Sequence, residues 1–496
     1  MNASSRGKAA AGRSVAFWLA GAALLATVAV QSQATGAEKH PSGRDGSPNR
    51  LGEADSTDVQ GNADPMDQLL SAIRLGDASR VKQWIRQGDD IRGANRYGLT
   101  PLAAACQFAG PAIVEQLLDA GARPDALLPG GETALMWASR RGSRPIIQAL
   151  LDEGADPNHR SEAGQTALMW AAAAGNLAAA ESLIRAGADL DVTLPSGFNA
   201  MMFAVRNGHA DLARHFLDCG VDIHAVMVPE RRRSRAVREG TSALMLAVEN
   251  AHFDLAMMLV DAGADPNDQR SGFTPLHAIS WVRKSGRGDG PDDDPPPSGS
   301  GKRDSLQFVR DLVDAGADVN RRRKRGRRDR GELNLRGATP LLMAASTADL
   351  ALMKVLDELG GDLSMTNVDG TTPLLAAAGV GVRTVDEEPG TEPEVLATLR
   401  WLLDRDADPN VVDDNGESAM HGAAYRSFPQ VAEWLSRHGA TASTWDQPND
   451  KGWTPIRIAQ GYRYGAFKPN PKMVEVLVAA GGSLERAARA AKSERW

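Results

Sequence analysis

The sequence predicts an all-α solenoid of about ten to eleven helix pairs, and three observations support this fold class. Residues 130–158, 164–191 and 196–224 repeat one pattern spaced 33 residues apart, and a fixed period of this length indicates a stacked array. Each copy contains two short apolar segments separated by a turn. Each copy also ends in a glycine-containing turn that stops the second segment.

A glycine precedes the first helix of every copy and sets the numbering of the repeats. Its spacing is 33 residues from Gly98 to Gly197, and later intervals of 32 or 33 alternate with longer ones. We number repeats 1 to 10 by these glycines. They are Gly98, Gly131, Gly164, Gly197, Gly240, Gly272, Gly337, Gly370, Gly416 and Gly452.

The residue two positions after this glycine is a predicted helix cap. Threonine and serine hydroxyls accept bonds from the free amides of a helix start, and the proline or alanine that follows suits the first helical position. The predicted caps are Thr100, Thr133, Thr166, Ser242, Thr274, Thr339, Thr372, Ser418 and Thr454.

The second helix of a repeat is predicted to end at a Gly-Ala-Asp turn. Gly121, Gly154, Gly187, Gly263 and Gly316 supply a left-handed residue there, and the aspartate that follows starts the next turn. Helices of about eight to ten residues are marginal alone in water. Neighbouring copies must therefore cover each other, and stability becomes a sum over neighbours.

The chain resembles the ankyrin repeat in the segments "GFTPLHAI" (272–279) and "LVDAGADPN" (259–267). The resemblance covers roughly residues 65–485. It implies a curved stack of antiparallel helix pairs with β-hairpin-like fingers at right angles, which binds other proteins through the fingers and the inner helices. The family's histidine is kept at His277 and His421. Methionine replaces it at Met136, Met169, Met202 and Met245.

Composition agrees with short helices divided by turns. The 496 residues include 50 glycines and 27 prolines, and only 5% are aromatic. The net charge of −7 gives no overall attraction to nucleic acid.

The N-terminus has the pattern of a signal peptide, assigned to residues 1–34. Arg6, Lys8 and Arg13 precede the apolar run 17–30, and small residues follow it. As a helix the run spans about 21 Å, less than the ~30 Å hydrocarbon layer. An uncleaved anchor is the alternative. Cleavage removes three positive charges, so −7 becomes −10. We expect an extracytoplasmic protein, periplasmic or secreted, of bacterial type.

The rest of the chain divides around the array. Residues 35–64 are predicted to be a disordered leader, residues 65–96 an N-terminal capping repeat, residues 97–482 the repeat array and residues 483–496 a C-terminal capping helix.

Five insertions interrupt the array, and they are sorted by edge. Residues 228–239 and 321–336 lengthen the fingers of repeats 5 and 7. Residues 284–302, 379–393 and 461–471 lie between the two helices of a repeat, at the opposite edge. The two finger insertions are basic, and two of the three opposite loops are acidic. Insertions in repeat proteins collect on binding faces.

Residues 321–330 contain eight basic side chains and one aspartate. A solvated loop is the simpler interpretation, and electrostatic contact with an acidic protein partner is the functional one. An export signal contradicts nuclear import, and no aromatic residues interleave the run to stack on nucleic acid. The candidate contact residues are Arg231, Arg232, Arg233, Arg321, Arg322, Arg323, Lys324, Arg325, Arg327 and Arg328.

A second candidate surface is a row of apolar side chains at one repeat position. Trp137, Trp170, Phe203 and Leu246 share this register. They either fill space between neighbouring repeats or line a groove as anchors, since tryptophan is enriched in binding hot spots. Burial distinguishes these interpretations.

No catalytic or metal-binding motif is present in the sequence. His209, His215 and His224 fall on a turn, a helix and a finger of one repeat, where they would not converge on a metal. Cys106 and Cys219 are predicted to lie about 25–30 Å apart across three repeats, too far for a disulfide. We expect no enzyme activity and no cofactor.

The predicted function is an exported, non-enzymatic scaffold or accessory subunit that binds a protein as a monomeric solenoid. It would bind no nucleic acid and have no membrane span after signal cleavage. A secreted effector that binds a host protein is one alternative, and an enzyme whose site is assembled across repeats is a second.

Overall fold

The computed structural model describes residues 64–230, 238–284, 297–326, 332–383, 389–463 and 468–492. All of them belong to one compact unit, Ala63–Trp496. Their regular secondary structure is helical, apart from two isolated bridges at Val226–Ser242 and Val412–Ser418. The all-α prediction is confirmed. The described parts of the fingers consist of turns, with these two bridges and no β-strand. The predicted signal peptide 1–34 and almost all of the leader lie outside the described residues.

Twenty-two of the 24 described helices form eleven consecutive pairs, as predicted. The pairs are α1 (Pro65–Arg74) and α2 (Ala78–Gln87), α3 (Pro101–Phe108) and α4 (Pro111–Asp119), α5 (Ala134–Arg141) and α6 (Arg144–Asp152), α7 (Ala167–Ala174) and α8 (Leu177–Arg185), α9 (Ala200–Arg206) and α10 (Ala210–Asp218), α11 (Ala243–Glu249) and α12 (Phe253–Asp261), α13 (Pro275–Arg283) and α14 (Ser305–Asp314), α15 (Pro340–Ser346) and α16 (Leu350–Glu358), α17 (Pro373–Ala378) and α18 (Glu392–Leu403), α19 (Ala419–Arg426) and α20 (Pro429–Arg437), and α22 (Pro455–Ala459) and α23 (Pro471–Ala479). The short α21 (Ala442–Trp445) and the C-terminal α24 (Leu484–Lys492) remain unpaired.

The predicted cap residues directly precede the first helices of their repeats, although Thr133 makes no capping hydrogen bond. The hydroxyl of Thr100 accepts from the Ala103 amide at 3.2 Å, and Thr454 accepts from Arg457 at 3.3 Å. Repeat 4 uses Asn199, whose side-chain oxygen accepts from Met202 at 2.9 Å. These bonds satisfy amides that a helix start leaves free.

The helices pack in single file. Each first helix contacts the first helix of the next repeat, from α1 through α22, and most second helices contact the next second helix in the same way. The first helices carry small, fully buried side chains such as Ala138, Ala171 and Ala204. The core therefore extends along the array, with each repeat covered by its neighbours.

The repeat glycines close the fingers. All ten have φ between 73° and 104°, and each amide donates to a finger carbonyl at 2.7–3.3 Å. A side chain is costly there. At Gly240 an added Cβ would lie 2.4 Å from the carbonyl oxygen of Arg270.

Two insertions lie within these turns, and the hydrogen bond of the repeat glycine is kept in both. In eight repeats the carbonyl that accepts the glycine amide lies three residues earlier in the chain. In repeat 5 it belongs to Met227, and in repeat 7 to Arg323, thirteen and fourteen residues earlier. The insertions thus leave the repeat frame unchanged, because both ends of each insertion meet at the same pair of bonds.

Asparagine side chains bridge successive repeats after the second helix. The amide group of Asn320 donates to the carbonyl of Gly360 at 2.9 Å, and its oxygen accepts from the Asp362 amide at 2.8 Å. Asn158, Asn267 and Asn410 make the same pair of bonds to their next repeats. The preceding aspartates start turns, as predicted. The bridges themselves were not predicted.

Candidate protein-binding surface

The first helices present a surface that we call the inner face. It includes the exposed and half-buried side chains four or seven positions after the caps, such as Arg140, Arg206 and Trp281. Ala104 and Ala278, four positions after their caps, are fully buried. Trp137 and Trp170 lie on it half-buried, with ring centroids 5.3 Å apart in an edge-to-face arrangement. Phe203 and Leu246, at the same register, are only 9% and 7% exposed. The two tryptophans are therefore accessible, whereas Phe203 mainly fills the core.

The two tryptophans differ in their hydrogen bonds. The Trp170 indole N–H donates to the Gln165 side chain at 3.0 Å. Glu132 occupies the same register one repeat earlier, but its carboxylate accepts from the Gly130 amide at 3.2 Å. The buried indole N–H of Trp137 has no partner among the described residues. An unpaired buried donor costs about 1–3 kcal/mol.

The basic finger of repeat 7 is described as far as residue 326. Arg321, Arg322, Lys324 and Arg325 are exposed, whereas Arg323 is half-buried. The backbone holds the run in place, because the amides of Lys324 and Arg325 donate to the carbonyl of Gly272 at 3.1 and 3.3 Å. The other predicted basic contacts, Arg231, Arg232, Arg233, Arg327 and Arg328, lie outside the described residues.

Arg323 packs on an aromatic pair of repeat 6. The rings of Phe273 and Trp281 meet edge to face at 4.9 Å. The guanidinium of Arg323 lies 5.1 and 5.9 Å from their centroids, and that of Arg238 lies 5.0 and 5.7 Å away. Burial, together with the nearby charge of Arg238, lowers the pKa of Arg323 to about 10. We call these four residues the arginine–aromatic cluster.

Arg238, Phe273 and Trp281 were not among the predicted contact residues. Phe273 directly precedes a cap, and Trp281 lies seven positions after it, where repeats 2 and 4 have Arg140 and Arg206. This repeat register was the available signal. Their contact with two fingers depends on how the insertions fold, which the register does not show.

The insertion of repeat 7 does not remain at its own edge. Leu333 and Leu335 pack on a small apolar cluster of the inner face, together with Trp281. The amide of Leu333 donates to the carbonyl of Gly381 at 3.3 Å, and Glu332 pairs with Arg383 at 3.1 Å. Gly381 and Arg383 belong to the loop predicted at the opposite edge. The segment 332–336 therefore lies across the inner face of repeats 7 and 8, because its leucines have apolar surface to cover there.

The end of the 284–302 insertion also docks on its neighbours. The Ser300 hydroxyl bonds the His252 imidazole at 2.9 Å, and the Lys302 amide donates to the Asp254 carboxylate at 2.6 Å. Burial lowers the pKa of His252. This described part of the insertion is thus attached to the preceding repeat.

The two family histidines join adjacent repeats. His277 accepts from the Thr274 amide at 3.1 Å, and its other ring nitrogen lies 3.0 Å from the carbonyl oxygen of Ala338 in repeat 7. His421 makes the equivalent contact with Trp453 at 3.1 Å. Burial lowers the pKa of both histidines to about 4.

A buried polar cluster links repeats 9 and 10. The carboxylate of Glu417, 6% exposed, accepts from Tyr425 at 3.0 Å, from Asn449 at 3.0 Å and from Lys451 at 3.3 Å. Burial raises the pKa of Tyr425 well above its usual value. Tyr425 belongs to α19 of repeat 9, and Asn449 and Lys451 belong to the turn that precedes the first helix of repeat 10, so the cluster joins the two repeats.

The structure does not gather the remaining candidate groups into a reactive site. His209 lies at the start of α10, His215 within it and His224 in the following turn. Within the described ranges, no three His, Cys, Asp or Glu side chains are placed to hold a metal ion. Cys106 and Cys219 are both free thiols, and burial raises the pKa of Cys106 strongly.

Known sequence families match the repeats directly. "Ankyrin repeats (3 copies)" matches residues 69–161 and 146–227. "Ankyrin repeat" matches residues 239–270, and "Ankyrin repeats (many copies)" matches residues 393–435. The chain belongs to the ankyrin-repeat family. Its ankyrin repeats indicate a scaffold that interacts with other proteins.

Curated relatives of this ankyrin-repeat protein share only part of its length. Neurogenic locus notch homolog protein 1 of Danio rerio is 34% identical over 121 residues, which is 24% of this chain and 4% of that protein. The Homo sapiens protein of the same name is 32% identical over 149 residues, or 30% and 5%. Ankyrin repeat, SAM and basic leucine zipper domain-containing protein 1 of Dasypus novemcinctus is 30% identical over 135 residues, or 27% and 24%. The chain thus spans at most about a quarter of these relatives.

None of the helices in the described part of the chain combines the length and the apolar character that a membrane crossing requires.

Proposed function

We propose that this ankyrin-repeat protein is a non-enzymatic scaffold that binds a protein with an acidic surface, outside the cytoplasm, in the periplasm or after secretion. The exposed cations Arg321, Arg322, Lys324 and Arg325 carry the proposal. The Gly272 carbonyl accepts hydrogen bonds from the backbone amides of Lys324 and Arg325, so little ordering entropy is lost there when a partner binds.

Exposed charges of one sign act mainly on the encounter of two proteins. They raise the association rate, and salt screens the effect. Trp137 and Trp170 on the inner face would then supply short-range apolar contact, as aromatic anchors do in interfaces.

The test compares two variants with equal charge loss. The finger variant replaces Arg321, Arg322, Lys324 and Arg325 by serine. The control replaces four exposed cations on second helices, Arg144, Arg185, Arg214 and Lys354, by serine. Proteins captured by the full chain from the extracytoplasmic fraction of its source cells are identified, and their association rates are measured over a salt series.

We expect the finger variant to associate on the order of tenfold more slowly at low salt and to show a weaker salt dependence. The control variant should match the unchanged chain. Equal rates for both variants would remove the finger from the proposal.

Localisation is tested separately. The N-terminal pattern of Arg6, Lys8, Arg13 and the apolar run 17–30 supports export. A C-terminally tagged chain should appear in the periplasm or the medium as a form shortened by about 34 residues. A full-length chain in the cytoplasm would contradict export.

A further inference from the structure

We propose that Arg238 and Arg323 form a carboxylate-binding site on the inner face of repeat 6, and that it receives an acidic side chain from the protein partner. The partner segment would place apolar side chains beside that acid. This inference rests on the proposed scaffold function and specifies the chemistry of its partner.

The site contains two guanidinium groups and one carboxylate. Arg238 pairs with Glu249 at 2.6 Å. The Arg323 guanidinium donates to the backbone carbonyl of Arg325 at 2.7 Å and has a long contact of 3.7 Å to the Met343 sulfur. Among the described residues, no carboxylate pairs with Arg323. Both guanidinium groups lie against the same aromatic pair, so one positive charge remains unmatched at this point.

The unmatched charge lies where an acid would bind strongly. Arg323 is half-buried, and hydrogen bonds between charged groups gain strength where water is partly excluded. Arg238 remains 54% exposed, so the cluster is open to solvent on one side. A carboxylate arriving from that side would match the second guanidinium and reduce the repulsion between the two arginines.

The adjoining inner face shows what kind of segment fits. Glu332 pairs with Arg383, and Leu333 and Leu335 cover apolar side chains beside Trp281. A segment of the chain itself, with the acidic Glu332 followed by Leu333 and Leu335, thus lies across repeats 7 and 8. On the other side of Trp281 the inner face continues to the half-buried tryptophans of repeats 2 and 3. A partner segment of similar chemistry suits this uncovered part.

The experiment uses two fluorescently labelled peptides that differ in one side chain, which is glutamate in one and glutamine in the other. The probe Ser-Glu-Leu-Ser-Leu-Ser carries the acid, and Ser-Gln-Leu-Ser-Leu-Ser is its neutral match. Their affinities for the full chain are measured by fluorescence anisotropy. The same titrations are made with Arg323→Met and with Arg437→Met, a control on a second helix where the arginine is 70% exposed.

The glutamate peptide should bind on the order of tenfold more tightly than the glutamine peptide, the gain typical of one charge-assisted hydrogen bond. Arg323→Met should make the two affinities equal, and Arg437→Met should preserve the difference. The comparison on the unchanged chain needs no variant, so a folding defect in Arg323→Met leaves the test intact.

Three results would overturn the site. They are equal binding of both peptides to the unchanged chain, a glutamate preference that survives in Arg323→Met, and no binding of the glutamate peptide at millimolar concentration. If both peptides bind equally and Trp170→Ala weakens both, the scaffold function stands and the carboxylate site falls. If the chain captures no partner but still prefers the glutamate peptide, the carboxylate site stands and the scaffold function falls.

Discussion

Acid should weaken the contact between repeats 6 and 7 through His277. The imidazole is fully buried and bonds the carbonyl oxygen of Ala338 in the next repeat. Burial, with a smaller contribution from the charge of Arg323, lowers its pKa from 6.5 to about 4. The unfolded chain therefore binds a proton near pH 5 that the folded chain does not. The contribution of His277 to the free energy of unfolding is fully present above pH 6.5 and is lost as the pH falls toward 4.

The size of the loss follows from the pKa shift. A shift from 6.5 to about 4 at about 1.36 kcal/mol per unit gives a loss of about 3 kcal/mol near pH 4. His421 is equally buried, with the same direction and a pKa of about 4, and makes a comparable contribution at repeats 9 and 10. The unchanged chain therefore carries two such losses, and a His277 variant carries one.

His277→Met is the informative change, because methionine fills this register in repeats 2 to 5. Met136 and Met245 are at most 1% exposed there. At neutral pH the variant loses the bond to Ala338 and should be less stable by about 1–3 kcal/mol. Urea unfolding of both proteins, followed by circular dichroism from about pH 7 to pH 4.5, gives the difference at each pH. The carboxylates titrate in both proteins and cancel in that difference.

The gap between the two proteins should close as the pH falls. A gap that stays constant across the range would show that His277 does not titrate on unfolding as its burial implies. The pKa of His277 in the folded chain would then lie close to its ordinary value.

Three further changes test the contacts between repeats by urea unfolding. Arg283→Met leaves the carboxylate of Asp349, 3% exposed, without its ion-pair partner, and should cost about 3–5 kcal/mol; a cost below about 1 kcal/mol would show that solvent reaches this pair. Asn320→Ala removes both bonds of an asparagine bridge and should cost about 1–2 kcal/mol, with no change expected in helix content. Gly240→Ala places a Cβ 2.4 Å from a carbonyl oxygen and should cost more than Gly187→Ala, which has a similar positive φ and no atom within 4 Å; equal costs would contradict the clash.

The repeat register was predictable for a physical reason. Thr100 and its equivalents act within three residues of their own position, and in eight repeats the glycine amide bonds a carbonyl three residues earlier. Such bonds depend on local sequence alone, so period, helix starts and turns could all be read directly. The asparagine bridges were missed although their residues recur, because the partner carbonyl belongs to another repeat.

The candidate surface was predicted only in part. The register of Trp137 and Trp170 gave two interpretations, and only burial showed these rings half-exposed while Phe203 is enclosed. The charge run indicated basic side chains at one edge. It did not show that Arg323 turns inward onto Phe273, because that contact joins residues fifty positions apart.

The amino-acid sequence by itself determined the repeat period, the starts of the first helices and the turns that follow the second helices, since these depend on hydrogen bonds between near neighbours in the chain. The tertiary structure alone decided which insertion residues face solvent. Leu333 and Leu335 draw their segment onto the inner face because apolar side chains are more stable out of water. Arg323 follows the closed base of the same finger onto the aromatic pair, and its charge is thereby placed on the inner face of repeat 6.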